Sequence, residues 1–158
     1  MSGDVVEHVI RPVGVVRNGR TDIAMTDNWG EVTSTIVVGE RFGDDCLLGL
    51  DEFSHVDVLF LFDQTTDRPD YSPRRPRGRA DLPKVGLFAD RGPRRPNLIG
   101  VTTCRIASVD GRSLEVVGLD AVDGTPVVDL KPTMLEFLPA DVRQPEWVSR
   151  LMADYFRP

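Results

Sequence analysis

The chain has 158 residues, 41% hydrophobic and 28% charged, which suits one domain with a single core and, at a mean hydropathy of −0.18, neither a disordered nor a membrane-embedded chain. Its longest apolar run, Val58 to Phe62, falls far short of the roughly 18 residues a spanning helix needs, and Met1-Ser-Gly-Asp carries no leader pattern. A single cytoplasmic domain over residues 1–158 is therefore expected, with a net charge of −6 that argues against a dedicated nucleic-acid binder unless the basic residues are concentrated.

In chain order, Val5–Val16 reads as a bent or edge strand, because Pro12 cannot donate to a central ladder. Val32, Ser34, Ile36 and Val38 alternate within a β-rich segment over 31–38, a strand with one apolar face. Gly43–Leu50 reads as a short helix ended by Gly49. Val56–Phe62 and Val85–Ala89 have the short β-branched and aromatic character of buried strands. Residues 101–107 and 113–118 flank Asp110-Gly111, which predicts a hairpin. Pro145 begins a helix over about 145–156 in which Trp147, Val148, Leu151, Met152 and Tyr155 share a face. Several strands, little helix and no alternating β-α rhythm predict a mainly β architecture: a β-barrel with loop and short helical insertions and one C-terminal amphipathic helix.

The charge is unevenly placed. Between Arg68 and Arg95 nine basic residues face three acidic ones, a net +6 inside a chain of −6. Half of the 12 prolines fall between Pro69 and Pro96, so this basic stretch is loop, apart from the segment at 85–89. Such a patch can hold an anion, since charges beyond about 8 Å are screened at physiological salt. A general preference for arginine, 17 against 2 lysines, would also produce it.

Common catalytic signatures are missing. No Gly-x-Gly-x-x-Gly, Gly-x-x-x-x-Gly-Lys or Gly-x-Ser-x-Gly occurs. Cys46, Cys104, His8 and His55 have no ligand-like spacing, so no metal is expected. His55, in Phe53-Ser-His-Val-Asp57, reads first as a hydrogen-bonding residue at a strand entrance. What remains is chemistry by positioning bound reactants.

Two stretches are more specified than connectors need to be. Gly86-Leu-Phe-Ala-Asp-Arg-Gly-Pro-Arg-Arg-Pro-Asn-Leu-Ile-Gly100 stiffens Arg91, Arg94 and Arg95 with two prolines, as a preorganised binding loop would. Gly118-Leu-Asp-Ala-Val-Asp-Gly-Thr-Pro-Val-Val-Asp-Leu-Lys-Pro132 gathers Asp120, Asp123 and Asp129 with Lys131 around an Asp123-Gly124 turn. Those carboxylates could receive an ammonium or ribose hydroxyls, satisfy their own turn, or pair with the arginines.

Both stretches, with Leu50-Asp-Glu-Phe-Ser-His-Val-Asp57 and Val13-Gly-Val-Val-Arg17, resemble in order the motifs of the TsaA/YaeB-like family, and together cover most of residues 9–132. The resemblance implies a usually dimeric β-barrel methyltransferase that uses S-adenosylmethionine outside the Rossmann class. Its characterised members act on tRNA, at N6 of the threonylcarbamoyl-adenosine at position 37. By the same resemblance Asp63, Gln64, Arg91, Leu98, Asp120, Ala121, Val122 and Asp123 would contact the cofactor, and Arg94, Arg95, Asn97 and Lys131 the substrate; no catalytic residue is implied. The chain departs from the family at Asp63, often His, at Asp90 and Leu98, often Thr and Pro, at Thr133, and over 21–30, which lacks a Pro-x-Gln-like element. Those departures, with the acidic total, leave open a small-molecule acceptor or a non-catalytic module that binds the cofactor or a nucleotide.

Overall fold

A computed structural model describes residues 3, 5–66 and 68–158; Met1, Ser2 and Asp4, from the segment read for a leader, and Asp67 lie outside the described residues. Six antiparallel strands close into a barrel: β1 (Gly14–Arg17), β2 (Thr33–Val38), β3 (His55–Leu61), β4 (Ile99–Asp110), β5 (Ser113–Val117) and β6 (Pro126–Pro132). Around the barrel they run β1, β2, β5, β4, β3, β6 and back to β1. The mainly β expectation holds, and period-2 patterning is the reason: Val56, Val58 and Phe60 of β3 point inward while the residues between them are half-exposed. Val16, Ile36, Val38, Cys104, Leu114, Val116 and Val127 complete the interior.

The longest strand, β4, pairs with β3 from Ile99 to Arg105 and with β5 from Arg105 to Asp110, shifting register between Ile106 and Ser108. That irregularity lets one strand serve two neighbours as the sheet curves shut. Phe60 stands opposite Gly100, and a Cβ on Gly100 would lie 2.6 Å from the Phe60 ring. The glycine makes room for an aromatic ring inside a narrow barrel. The hairpin forms as predicted, one residue along: Asp110 pairs with Ser113, leaving Gly111 and Arg112 as the loop, with Gly111 at φ 55°.

Four expectations need correction. The first strand is confined to Gly14–Arg17, because its ladder to β2 and β6 starts only beyond Pro12; residues 5–12 are exposed. Gly43–Leu50 is a run of turns followed by a 3-10 turn at Leu50–Glu52. Gly43 and Gly49 both have positive φ, and the few residues between them are too short to nucleate a helix. Val85–Ala89 is not a strand: Val85 makes one isolated bridge to Arg74, Leu87–Ala89 is a 3-10 turn, and Phe88 is 80% exposed. Pro73 and Pro76 flank its partner and lack the N–H groups a longer ladder requires. The terminal helix, α1, spans Glu146–Leu151, with Pro145 as its cap. It ends at Met152, whose ψ of 4° leaves the helical range, and the amides of Tyr155 and Arg157 then donate three residues back, to Met152 and Asp154, in turns whose carbonyls at Asp154, Tyr155 and Arg157 accept the amides of Asn28, Trp29 and Gly30. No helix of the described residues is long and apolar enough to cross a membrane.

Candidate cofactor and substrate site

Loops at the start of β4 and between β5 and β6 carry most of the residues singled out above. Asp63 and Gln64 form an exposed turn after β3. The Phe62 amide donates to the Leu98 carbonyl at 2.7 Å, so this turn and the end of the arginine loop are neighbours. Leu98 sits at φ 53°, a left-handed conformation closed to proline; the residue change at 98 thus goes with this loop shape.

Arg91 and Asp120 are tethered to consecutive residues of β4. The Arg91 guanidinium donates to the Val101 carbonyl at 2.7 Å. The Thr102 hydroxyl donates to Oδ1 of Asp120, and the Tyr155 hydroxyl donates to Oδ2. Asp120 itself lies in the β5–β6 connection rather than on a strand, whereas Asp129 belongs to β6.

The rest of that connection is clasped to the exit of β1. Asn18 donates its amide N–H to Asp123 Oδ1 and its Nδ2 group to the Ala121 carbonyl and Ser34 Oγ, each at 2.9 Å. Asp123 and Gly124 donate their amides to the carbonyls of Arg20 and Val16 at 2.8 Å. Arg17 approaches the Asp123 carboxylate at 3.7 Å. Ala121 is buried and Val122 half-buried, which anchors the loop while its carboxylates Asp120 and Asp123 stay half-buried. Asp123 therefore does what an Asx side chain in a turn commonly does, holding backbone, but across the fold.

In the arginine loop, Asp90 is the organiser. Its carboxylate accepts the Gly92 amide at 3.2 Å and lies 3.7 Å from Arg74 Nε, while its carbonyl accepts Arg95 Nη1 at 2.5 Å. Arg74 also donates to the Arg94 carbonyl at 2.8 Å. Arg94, Arg95 and Leu98 then line a cavity of about 120 Å³ together with Thr65, Arg68 and Tyr71. Asp70 shares its wall, and hydrogen bonds from Ser72, helped by Arg74 and Arg94, hold that carboxyl below its ordinary value. Asn97 is exposed in the same loop. Lys131 stands instead on the barrel wall opposite Asp57, 3.3 Å from Asp129, at the level of Thr103 rather than that of Val101. His55 meets Ser54 Oγ at 2.7 Å, in keeping with a hydrogen-bonding role at the strand entrance.

Sequence reasoning missed Asn18, Thr102 and Tyr155. Asn18 and Thr102 have no motif around them. Tyr155 was visible as the last residue of the helical stripe, which signals burial but not its hydroxyl's partner. The segment over 21–30 is likewise held in place: Trp29 is buried, Arg20 stacks on its ring at 3.7 Å, and Arg77 reaches Asp27 at 3.1 Å.

The donor set suits S-adenosylmethionine. Each carboxylate oxygen has two acceptor sites; the Asp120 oxygens each receive one hydroxyl, and the Asp123 side chain stays 32% exposed. Acceptors for an ammonium or ribose hydroxyls remain, with a guanidinium nearby for a carboxylate.

Among the described residues the sheet is a closed antiparallel barrel with no parallel β-α-β crossover, so its fold is not of the Rossmann kind. The chain belongs to the family described as the tRNA-methyltransferase O N-terminal domain, which matches residues 25–137. A human protein named tRNA (adenine(37)-N6)-methyltransferase is 38% identical over 100 residues, covering 63% of this chain and 22% of the relative. A Methanothermobacter thermautotrophicus protein named a probable S-adenosyl-L-methionine-binding protein is 37% identical over 129 residues, covering 78% of this chain and 88% of the relative. The crystal structure of TrmO from Pseudomonas aeruginosa superimposes with a TM-score of 0.71 at 29% identity, covering 87% of this chain and 61% of that one. The match spans about a fifth of the mammalian relatives' length, 21% in mouse.

Proposed function

We propose that this chain is an S-adenosylmethionine-dependent methyltransferase acting on tRNA, with N6 of the threonylcarbamoyl-adenosine at position 37 as its acceptor. The observation that carries the reading is the tethering of Arg91 and Asp120 to Val101 and Thr102, which gathers two separate family-type loops at one end of the barrel. In this reading Asp120 and Asp123 receive the cofactor's ammonium and ribose hydroxyls, Arg91 its carboxylate, and Leu98 with Asp63 and Gln64 borders the adenine. The cofactor supplies an electrophilic methyl group on a sulfonium. The chain's own part is positional: carboxylates beside that cation and stiff loops align it with the acceptor nitrogen, worth a large share of the barrier without a nucleophilic side chain. The arginines around the cavity at Leu98, with exposed Asn97 and the more distant Lys131 on the wall, would take the acceptor's phosphates. Assembly as a homodimer in the cytoplasm belongs to the same reading.

The test is calorimetric titration with S-adenosylmethionine and S-adenosylhomocysteine, followed by methyl incorporation into tRNA that lacks the modification. Binding of both near one per chain and label on tRNA is the expected result. Binding without transfer to tRNA would move the acceptor to a small molecule or leave a binding module, and no binding by either compound would overturn the reading.

A further inference from the structure

Tyr155 lies outside the residues matched by the family, which end at 137, yet its hydroxyl reaches the first carboxylate of the acidic loop. The segment that carries it is docked, not draped. Asn28, Trp29 and Gly30 donate their amides to the carbonyls of Asp154, Tyr155 and Arg157 at 3.0, 2.8 and 3.2 Å. A Cβ on Gly30 would lie 1.9 Å from the Phe156 carbonyl oxygen. The Tyr155 ring packs edge-on against Phe156 with centroids 4.9 Å apart, and the Arg77 guanidinium sits 5.6 Å from it. Burial first, and then the Asp120 charge, push the phenol well above its ordinary value, against the opposing pull of Arg77 and Arg91. The hydroxyl therefore stays protonated and can only donate to the carboxylate at any working pH.

Asp120 is thus gripped at both oxygens, one from β4 and one from the chain's last turn. A carboxylate on a connecting loop would otherwise rotate, and a receptor for an ammonium or a ribose diol gains affinity when its orientation is fixed before binding. We propose that Tyr155 is a positioning residue of the cofactor site: its hydroxyl locks the Asp120 carboxylate in its receiving orientation, so that residues 152–157 form part of that site. This rests on the cofactor reading above and assigns the C-terminal segment a function in it.

Tyr155→Phe in the full chain keeps the ring, its stacking and the backbone bonds, and removes only the hydroxyl. S-adenosylhomocysteine affinity should fall up to about tenfold, the scale of having to immobilise one freed side chain on binding, while the melting temperature moves by only about 2–3 °C. Thr102→Val removes the other hydroxyl on the same carboxylate and should reproduce the loss of affinity. An altered melt with unchanged affinity in Tyr155→Phe would make the residue merely structural and overturn the proposal. Loss in Tyr155→Phe with none in Thr102→Val would also overturn it, since Tyr155 would then act other than through Asp120. If the wild-type chain itself binds neither compound, the cofactor reading fails, which the wild-type arm distinguishes from failure of this proposal alone.

Discussion

Asp123 has one duty that its contacts show, anchoring its loop, and one that is proposed, receiving the cofactor, and the two can be measured separately. Its carboxylate accepts the Asn18 amide and faces Arg17, so Asp123→Ala leaves a half-buried N–H without its partner and loosens the loop that carries Asp120. We expect a loss of about 1–2 kcal/mol in a urea melt that stays cooperative, together with weaker S-adenosylhomocysteine binding. A loss of stability without any change in binding would confine the residue to loop anchoring. The two thiols offer a second check. Cys46 is exposed and Cys104 buried, both free, and burial, with the charges of Asp120 and Asp57, pushes the Cys104 thiol from 9.0 up to about 12. Above pH about 9 the unfolded chain releases a proton that the folded chain retains, so stability falls as pH climbs toward 12. Tyr155, raised in the same direction, adds a loss of the same sign from about pH 10 upward. The urea midpoint should decline above pH 9, and Cys104→Ala should flatten the decline at its start; a midpoint that is level from pH 9 to 11 would contradict the burial of both groups.

At the scale of elements, the contact between residues 28–30 and 154–157 joins the segment before β2 to the chain's last residues. Gly30→Ala would force its methyl into the Phe156 carbonyl and lift that segment off Trp29, now 4% exposed. The expected cost is about 1–3 kcal/mol, and Trp29 fluorescence should become more accessible to acrylamide; unchanged quenching would mean the segment is not seated there. The same contact explains why the terminal helix was read too long. Spacing of Trp147, Val148, Leu151 and Tyr155 reports which side is buried, and a turn docked through its carbonyls buries the same residues as a continuing helix. The strand read over Val85–Ala89 failed for a related reason: apolar, β-branched composition measures fitness for a strand, but a strand needs a partner, and its neighbours at 73 and 76 are prolines. By contrast the hairpin after β4 and the alternation in β2 and β3 were legible because both signals are local.

For the molecule as a whole, charge is what distinguishes the acceptors. A net charge of −6 with +6 concentrated between Arg68 and Arg95 repels polyanions at a distance and offers them one landing place. If Arg68, Arg94 and Arg95 contact phosphates, tRNA affinity should fall steeply between 50 and 200 mM salt, on the order of tenfold or more, and replacing Arg95 by Ala should reduce the log–log salt slope by about one. A flat salt response with intact cofactor binding would point to a small acceptor. The barrel contributes by holding this patch and the acidic loop on rigid strands: Leu98 caps β4 at one side, while Asp120 is pinned to Thr102 three residues into the same strand.

Sequence alone settled the barrel class, the hairpin, the basic loop and the two stretches that place the chain in its family, since each is written in periodicity, turn chemistry or contiguous motif. It also pointed to Asp120 and Asp123 as candidate ligand groups, because carboxylates crowded at one turn need partners. Only the tertiary structure decided which partners those are: Asn18 lies 105 residues from Asp123 in the chain, and Tyr155 lies 35 from Asp120. No local pattern encodes such pairings, because a hydrogen bond between distant residues depends on where closure of the barrel and docking of the last turn leave each side chain, and those are properties of packing rather than of neighbouring residues.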